Sequence, residues 1–478
     1  MLKKILYSSL LLPLFFIFSL NQSKSSDLEI EENINIEKIY KKKFVNFKDI
    51  PEILKDNNFE LKSLEKMVKA ASLNYKSSLG KKYPSIDLNA TGLPQYLYSK
   101  NYTSSSVNTK SSQFKINPAL TIRWDLINPT REPDIDSAQN NLQVAINNYE
   151  IKKYDLIKEA RSRYHSYKKS LAEVDNAIFA VDLSLTSLRD AKSKLEAGIG
   201  TEFDVLEAKA QLSRDKQLLE EKKTSKEINK ISLKEILNID LEKEIEISKD
   251  QKLLGFWDYS LENNIEKGIT NSFSLKNINL QSLIKNDQAR RFKNSNKPIV
   301  YISNALSSTF SKGSTLSEEI DPKKTSSNYT NTISLNFAWN IFDGGQNKNS
   351  ANAKKAESEA DKLNYKNLEN IIKKNISESY LNLKKFEKKL LSTEEEIIST
   401  TESLRLARLR YEVGISTLKD ILTRQKELSN ANSKKINSIY NYNINLDQLE
   451  RLTFQRMNTK CLVNKSDKKN QNNPLCNF

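Results

Sequence analysis

Apolar and polar residues alternate strictly along two stretches of the chain. Leu120, Ile122, Trp124 and Leu126 are separated by Thr121, Arg123 and Asp125, and Ile333, Leu335, Phe337, Trp339 and Ile341 by Ser334, Asn336, Ala338 and Asn340. A period of two sets these residues on opposite faces of a strand, one apolar and one polar. Each stretch follows an earlier extended run. Strands are therefore predicted at about 86–99, 116–127, 299–310 and 329–342, with Ser/Thr/Asn-rich loops from Asn101 to about Lys115 and from Ser311 to Asn328.

After each strand pair the period lengthens to seven. Tyr167, Val174, Val181, Leu188 and Leu195 recur at that spacing, as do Leu383, Leu390, Ile397, Leu404 and Tyr411. Such a repeat draws a coiled-coil-like seam along a helix. Helices are predicted at about 137–197 and 347–413; the first would extend roughly 90 Å at the helical rise. Gly198-Ile199-Gly200-Thr201 and Gly414-Ile415-Ser416-Thr417 then interrupt the pattern. Glycine accepts the left-handed conformation that ends a helix, and threonine caps the next. Returning helices are predicted at about 202–238 and 418–455.

The two halves are copies of one unit. Leu195 to Thr201 answers to Tyr411 to Thr417, Asp204-Val205-Leu206 to Asp420-Ile421-Leu422, Trp124 to Trp339 and Pro84 to Pro298, all in the same order. The repeats occupy about 50–240 and 258–455. Pro84, Pro129 and Pro298 fall where strands meet helices, and Asp343-Gly344-Gly345 takes that place at the fourth junction.

The ends differ in character. Met1-Leu2-Lys3-Lys4 followed by an apolar run from Ile5 to Leu20 has the form of a secretory signal peptide, residues 1–25, cleaved near Ser23 to Ser25. An N-terminal extension fills 26–50 and a polar tail 456–478. No cysteine follows the apolar run, which argues against a lipid-anchored amino terminus. Cys461 and Cys476, the two cysteines, lie in the tail, where an exported protein can bond them or leave them as thiols. Beyond the signal no run approaches a membrane helix, and mean hydropathy is -0.63. Membrane entry would have to be through strands, which need only every second residue to be apolar.

The net charge of +16 arises from 76 Lys+Arg against 60 Asp+Glu. Lysine and glutamate interleave as on solvated helix faces, and no basic motif with stacking aromatics points to nucleic acid. His165 is the only histidine and glycine totals 10. Neither a His/Cys zinc site nor a phosphate-cradling glycine loop is available, and a serine-histidine-acid triad would have to use this one imidazole. His165 is expected on a helix surface or interface. No catalytic residue, metal site or cofactor is expected.

Trp339-Asn340-Ile341-Phe342-Asp343-Gly344-Gly345 entering an Ala/Lys/Glu helix, together with the paired turns ending at Leu206 and Leu422, resembles the TolC family of outer-membrane efflux proteins. The resemblance covers nearly all of the chain between 50 and 455. It implies a mostly α protein with a small transmembrane β part. Three protomers would each give four strands to one twelve-stranded barrel that continues as an α-helical tunnel through the periplasm. The implied partners are a homotrimer, a periplasmic adaptor (membrane fusion protein), an inner-membrane transporter reached through it, and outer-membrane lipid. The implied function is a passive exit duct for efflux or type I secretion.

The same resemblance implies that the turns form the periplasmic tip, with Gly198, Ile199, Gly200, Thr201, Gly414, Ile415, Ser416 and Thr417 contacting the adaptor. Asp204, Tyr411 and Asp420 would form the entrance gate, with an Asp204–Tyr411 bond between neighbouring hairpins. Ser416 and Thr423 stand where well-studied members have an arginine and a second acid. Trp124 and Trp339 are expected at the membrane interface, facing outward. A periplasmic coiled-coil adaptor is the competing reading; it would explain the signal and heptads but not two equal copies. A secreted hydrolase has no recognisable motif behind it.

Overall fold

The computed structural model describes residues 43–102, 109–250, 252–316 and 324–458. The signal, most of the extension, the tail from 459 on with both cysteines, and residues 103–108, 251 and 317–323 lie outside these ranges. The first repeat is preceded by a short strand β1 (Lys43–Phe44) and contains α1 (Ile50–Asn57), α2 (Phe59–Gly80), β2 (Ser85–Asn101), β3 (Thr109–Ile127), α3 (Arg131–Glu196) and α4 (Glu202–Ile236). After β4 (Ile245–Glu246) the second repeat follows the same order: α5 (Leu261–Asn271), α6 (Phe273–Asn294), β5 (Ile299–Leu316), β6 (Lys324–Ala338), α7 (Gln346–Glu412) and α8 (Leu418–Thr453).

The strands β2-β3-β5-β6 form one antiparallel sheet in that order, leaving β2 and β6 as its edges. They are longer than alternation alone indicates. Residues 109–115, 311–316 and 324–328, assigned to loops from their Ser/Thr composition, continue the ladder in register, for example Phe114↔Lys312 and Phe310↔Ser327. Cross-strand pairing outweighs the weak propensity of single residues here. At the other end β6 stops at Ala338, so Trp339 to Phe342 lie beyond the strand. Asp343 begins the turn into α7, its carboxylate accepting the Gly345 and Asn347 amides at 2.9 Å each.

The helices lie side by side in two tiers. Next to the sheet, α3 packs against α2 on one side and α6 on the other, with α7 beyond α6; farther away, α3 lies between α4 and α8, with α7 beyond α8. The long helices α3 and α7 span both tiers. Helices α1, α2, α5 and α6 escaped the heptad pattern because little of their surface is apolar and buried: Leu61 is the only buried residue of α2. Their start signals were present in Asn58, Ser260 and Ser272, whose side chains accept the amides of Leu61, Asn263 and Leu275. Away from the turns, several of the contacts between repeats are polar. Asn140 bonds Asp287 at 2.9 Å, Asn277 bonds Asn148 at 2.7 Å, and Arg451 pairs with Asp155 at 2.7 Å.

His165 sits in this inter-repeat seam, not on a surface. Its Nε2 lies 3.1 Å from Asp447 Oδ2, and Arg161 donates to Asp447 Oδ1 at 3.1 Å and to Glu450 at 3.0 Å. Phe47 covers the cluster, its ring 4.7 Å from the Arg161 guanidinium and 5.3 Å from the imidazole. Burial pushes the Glu450 carboxyl above its usual range, against the pull of Arg161.

Candidate functional site

Register settles which side chains share a face of the sheet. On one face Arg123 lies 3.8 Å over the Tyr301 ring and pairs with Asp125 at 2.9 Å, while Asn336 donates to Ser303 at 2.9 Å and Ser303 meets Ser334 at 2.8 Å. The other face carries Ile86, Leu88, Leu120, Ile122, Ile302, Leu306, Ile333 and Leu335 in adjoining register positions. Leu335 and Ile333 are 71% and 73% exposed in the protomer. No charged residue occupies this face from the level of Trp124 and Phe337 to that of Ile116 and Phe310.

Aromatic side chains bound the apolar face at both ends. Trp124 donates from Nε1 to the Lys82 carbonyl at 3.1 Å, and Trp339 to the Asn296 carbonyl at 2.9 Å, so each repeat ties its tryptophan to the preceding helix–strand turn. At the far end Tyr96 packs on Phe114 with ring centroids 5.2 Å apart and Phe310 on Tyr329 at 5.7 Å. Trp124 and Phe114 are ten residues apart, as are Trp339 and Tyr329. That is about 33 Å along a strand and about 25 Å in height at a tilt of roughly 40°, the thickness of an outer-membrane apolar band. Phe114 falls within a segment assigned to a loop from the sequence and Tyr329 borders another; their ten-residue spacing from Trp124 and Trp339 was the signal that could have revealed the second row.

The opposite end of the molecule is formed by the α3–α4 and α7–α8 turns. Gly198 and Gly414 adopt φ of 74° and 77°, and the Ile199 and Ile415 amides return to the Lys194 and Arg410 carbonyls at 3.0 and 2.8 Å. Thr201 accepts the Asp204 amide and Thr417 the Asp420 amide; the second turn completes a reciprocal capping box. The exposed Ile199, Phe203, Val413 and Ile415 leave this end partly apolar.

The three residues assigned to an entrance gate have different environments. Asp420 is held by its own turn: Thr417 N donates to its carboxylate at 3.0 Å and the Ser416 hydroxyl at 2.8 Å, and these bonds lower its pKa. Ser416 thus serves the cap. Asp204 accepts from the Thr201 hydroxyl at 2.8 Å. Tyr411 is buried in a tip core with Leu183, Ala191, Leu404 and Leu418, continuing the heptad seam. Among the described residues of the protomer no hydrogen bond joins its hydroxyl to Asp204. Burial raises the phenol's pKa, with the charges of Asp204 and Asp190 adding to the effect. Sequence reasoning missed Lys194, whose Nζ lies 3.7 Å from the Tyr411 ring centroid and donates to the Tyr411 carbonyl, tying one hairpin tip to the other.

A small sheet whose one apolar face has a charge-free central band, carried at the end of helices 66 and 67 residues long, defines the class of outer-membrane channel subunits with a helical periplasmic extension. None of the described helices is long and apolar enough to cross a membrane. A family model described as outer membrane efflux protein matches residues 50–238 and 304–453, and the chain belongs to that family. The fold is similar to a membrane protein from Pseudomonas aeruginosa (16% identity over 85% of this chain and 93% of that chain, TM-score 0.71). It is similar to the outer membrane protein VceC of Vibrio cholerae (13% identity, 85% and 96%, TM-score 0.72) and to the CmeC outer membrane channel of Campylobacter jejuni (16%, 86% and 86%, TM-score 0.70). No curated protein matches the chain in sequence. The protein is an outer-membrane efflux channel with its helices in the periplasm, an exit duct and not a periplasmic adaptor.

Proposed function

We propose that three copies of the chain close into one passive duct, a twelve-stranded barrel in lipid continued by a helical tunnel, that receives cargo from an inner-membrane transporter through a periplasmic adaptor. The open edges carry this reading. β2 and β6 each present an unpaired row of amides and carbonyls, which hydrocarbon does not tolerate, and closure by other copies removes both. The helical tiers have matching edges, α2 and α4 on one side and α7 on the other, with exposed Phe59, Ile228, Leu363 and Leu381 along them. The apolar face meets lipid with Trp124 and Trp339 at the periplasmic interface, and the Arg123 and Asn336 face lines the lumen.

At the entrance, Tyr411 and Asp204 restrict the opening together with Asp420, and the exposed turn residues Gly198 to Thr201 and Gly414 to Thr417 meet the adaptor. Exposed Ile199 and Ile415 supply the apolar contact that such docking uses. Purified protein in detergent is expected to have the mass of three chains by mass photometry and to form ion-conducting pores in planar bilayers. A stable monomer, or a trimer that never conducts, would refute the duct.

A further inference from the structure

Above its apolar band the sheet changes charge. The described strand residues at and beyond the level of Phe114 include Lys100 and Lys312, and no aspartate or glutamate. The acids of the sheet, Asp87 and Asp125, are both at the opposite end. Lys312 pairs with Phe114, at the height of the upper aromatic row and on the apolar face; Lys100 pairs with Lys110, four residues farther along β3. Both Lys100 and Lys312 are exposed, and the Lys100 ammonium stands 6.0 Å from the Tyr98 ring centroid.

We propose that Lys100 and Lys312 form a collar that binds the phosphates of a phosphorylated glycolipid in the outer leaflet. The inference rests on the membrane orientation given above and goes beyond it, since a duct needs no particular lipid. Four features favour this ligand. The apolar face carries no charge within the hydrocarbon, so a cation at its outer limit meets headgroups first. Along β3 the partner positions of the two lysines lie four residues apart, at roughly 3.3 Å each about 10 Å in height on a tilted strand, a depth greater than a single phosphodiester layer occupies. β3 continues five residues past Phe114, about 13 Å in height by the same geometry, which gives a sugar-built headgroup a rigid wall to stand against. Tyr98 adds an aromatic surface of the kind that packs beside sugar rings.

The test is native mass spectrometry of the detergent-purified full-length trimer, titrated with bis-phosphorylated lipid A, with its dephosphorylated form and with phosphatidylglycerol. Wild-type protein is expected to retain lipid A over both other lipids. Lys100→Gln/Lys312→Gln should lower lipid A retention by about tenfold or more, since each lysine at a lipid surface is worth roughly a factor of five, while trimer mass and conductance stay unchanged. Lys374→Gln/Lys389→Gln, on α7 far from the sheet, should retain lipid A as wild type does. Equal retention of lipid A and its dephosphorylated form, equal retention of phosphatidylglycerol, or a double variant that binds as wild type would each overturn the collar. Failure of the wild type to conduct would instead strike the duct reading, and the collar with it.

Discussion

Removal of the Asp447 carboxylate tests whether the polar seam between the repeats holds the helical tiers together. Asp447 is 3% exposed and satisfies two donors, Arg161 at 3.1 Å and His165 at 3.1 Å. The carboxylate oxygen accepts in that bond and the His165 Nε2–H donates. Asp447→Ala leaves the imidazole N–H without a partner and Arg161 with Glu450 alone. Breaking a buried charge pair from one side costs about 3–5 kcal/mol, and the surviving Glu450 bond points to the lower end of that range. Asp447→Asn keeps the shape but turns an amide NH2 toward one of the two donors, at about 1–3 kcal/mol. With an unfolding entropy of about 2.1 cal/mol/K per residue and a cooperative unit of roughly 400 residues, 3 kcal/mol corresponds to about 4 °C in the midpoint, and the asparagine variant to about 2 °C. Scanning calorimetry of the full-length protein in detergent, at one fixed scan rate because such proteins unfold irreversibly, reads both shifts. An alanine variant within about 1 °C of wild type would refute the reasoning, because by the same conversion the cluster would then be too well solvated to matter.

Leu335→Arg should prevent membrane assembly, at about 2–4 kcal/mol per chain near the middle of the apolar band, whereas Asn336→Arg, on the opposite face, should still yield heat-sensitive trimers on gels; equal tolerance contradicts the register. Gly198→Ala and Gly414→Ala should each destabilise their hairpin by about 1–2 kcal/mol through the left-handed backbone alone, since an added Cβ meets nothing within 4 Å at either position; limited proteolysis at the turns reads the change. Tyr411→Phe keeps the ring under Lys194 and removes only the hydroxyl. It is expected to raise single-channel conductance without changing trimer stability, with Asp204→Asn acting likewise and not additively, and wild-type conductance in both would remove these residues from the gate. Asp420, with its pKa lowered from 3.8, stabilises the α8 cap above that pH and loses the contribution as pH falls through its folded value. The midpoint difference between wild type and Asp420→Asn should therefore be constant near neutrality and close below about pH 3.8; a difference that persists in acid would mean the cap does not titrate.

Local pattern was sufficient for much of this architecture. Two copies of one unit, strand against helix, the turns with their left-handed glycines and threonine caps, and a sheet with one apolar face all rest on interactions within a few residues or on periodicity, and both are written along the chain. The arrangement of the helices was not legible in the same way. α2 and α6 flank α3 through polar or sparsely buried contacts, and no apolar period records a seam made of Asn140, Asp287, Asn148 and Asn277. The strand ends depended on cross-strand partners, so Ser- and Thr-rich runs that look like loops continue as ladder. Folding also decided how individual acids are used. Asp204 and Asp420, equivalent in the two turns, both accept from cap threonines, while Asp447 is drawn into the core by Arg161 and His165 from 286 and 282 residues away. A side chain's partners across such separations are set by which helices become neighbours, and that depends on the packing of the whole tier, not on the residues around it in sequence.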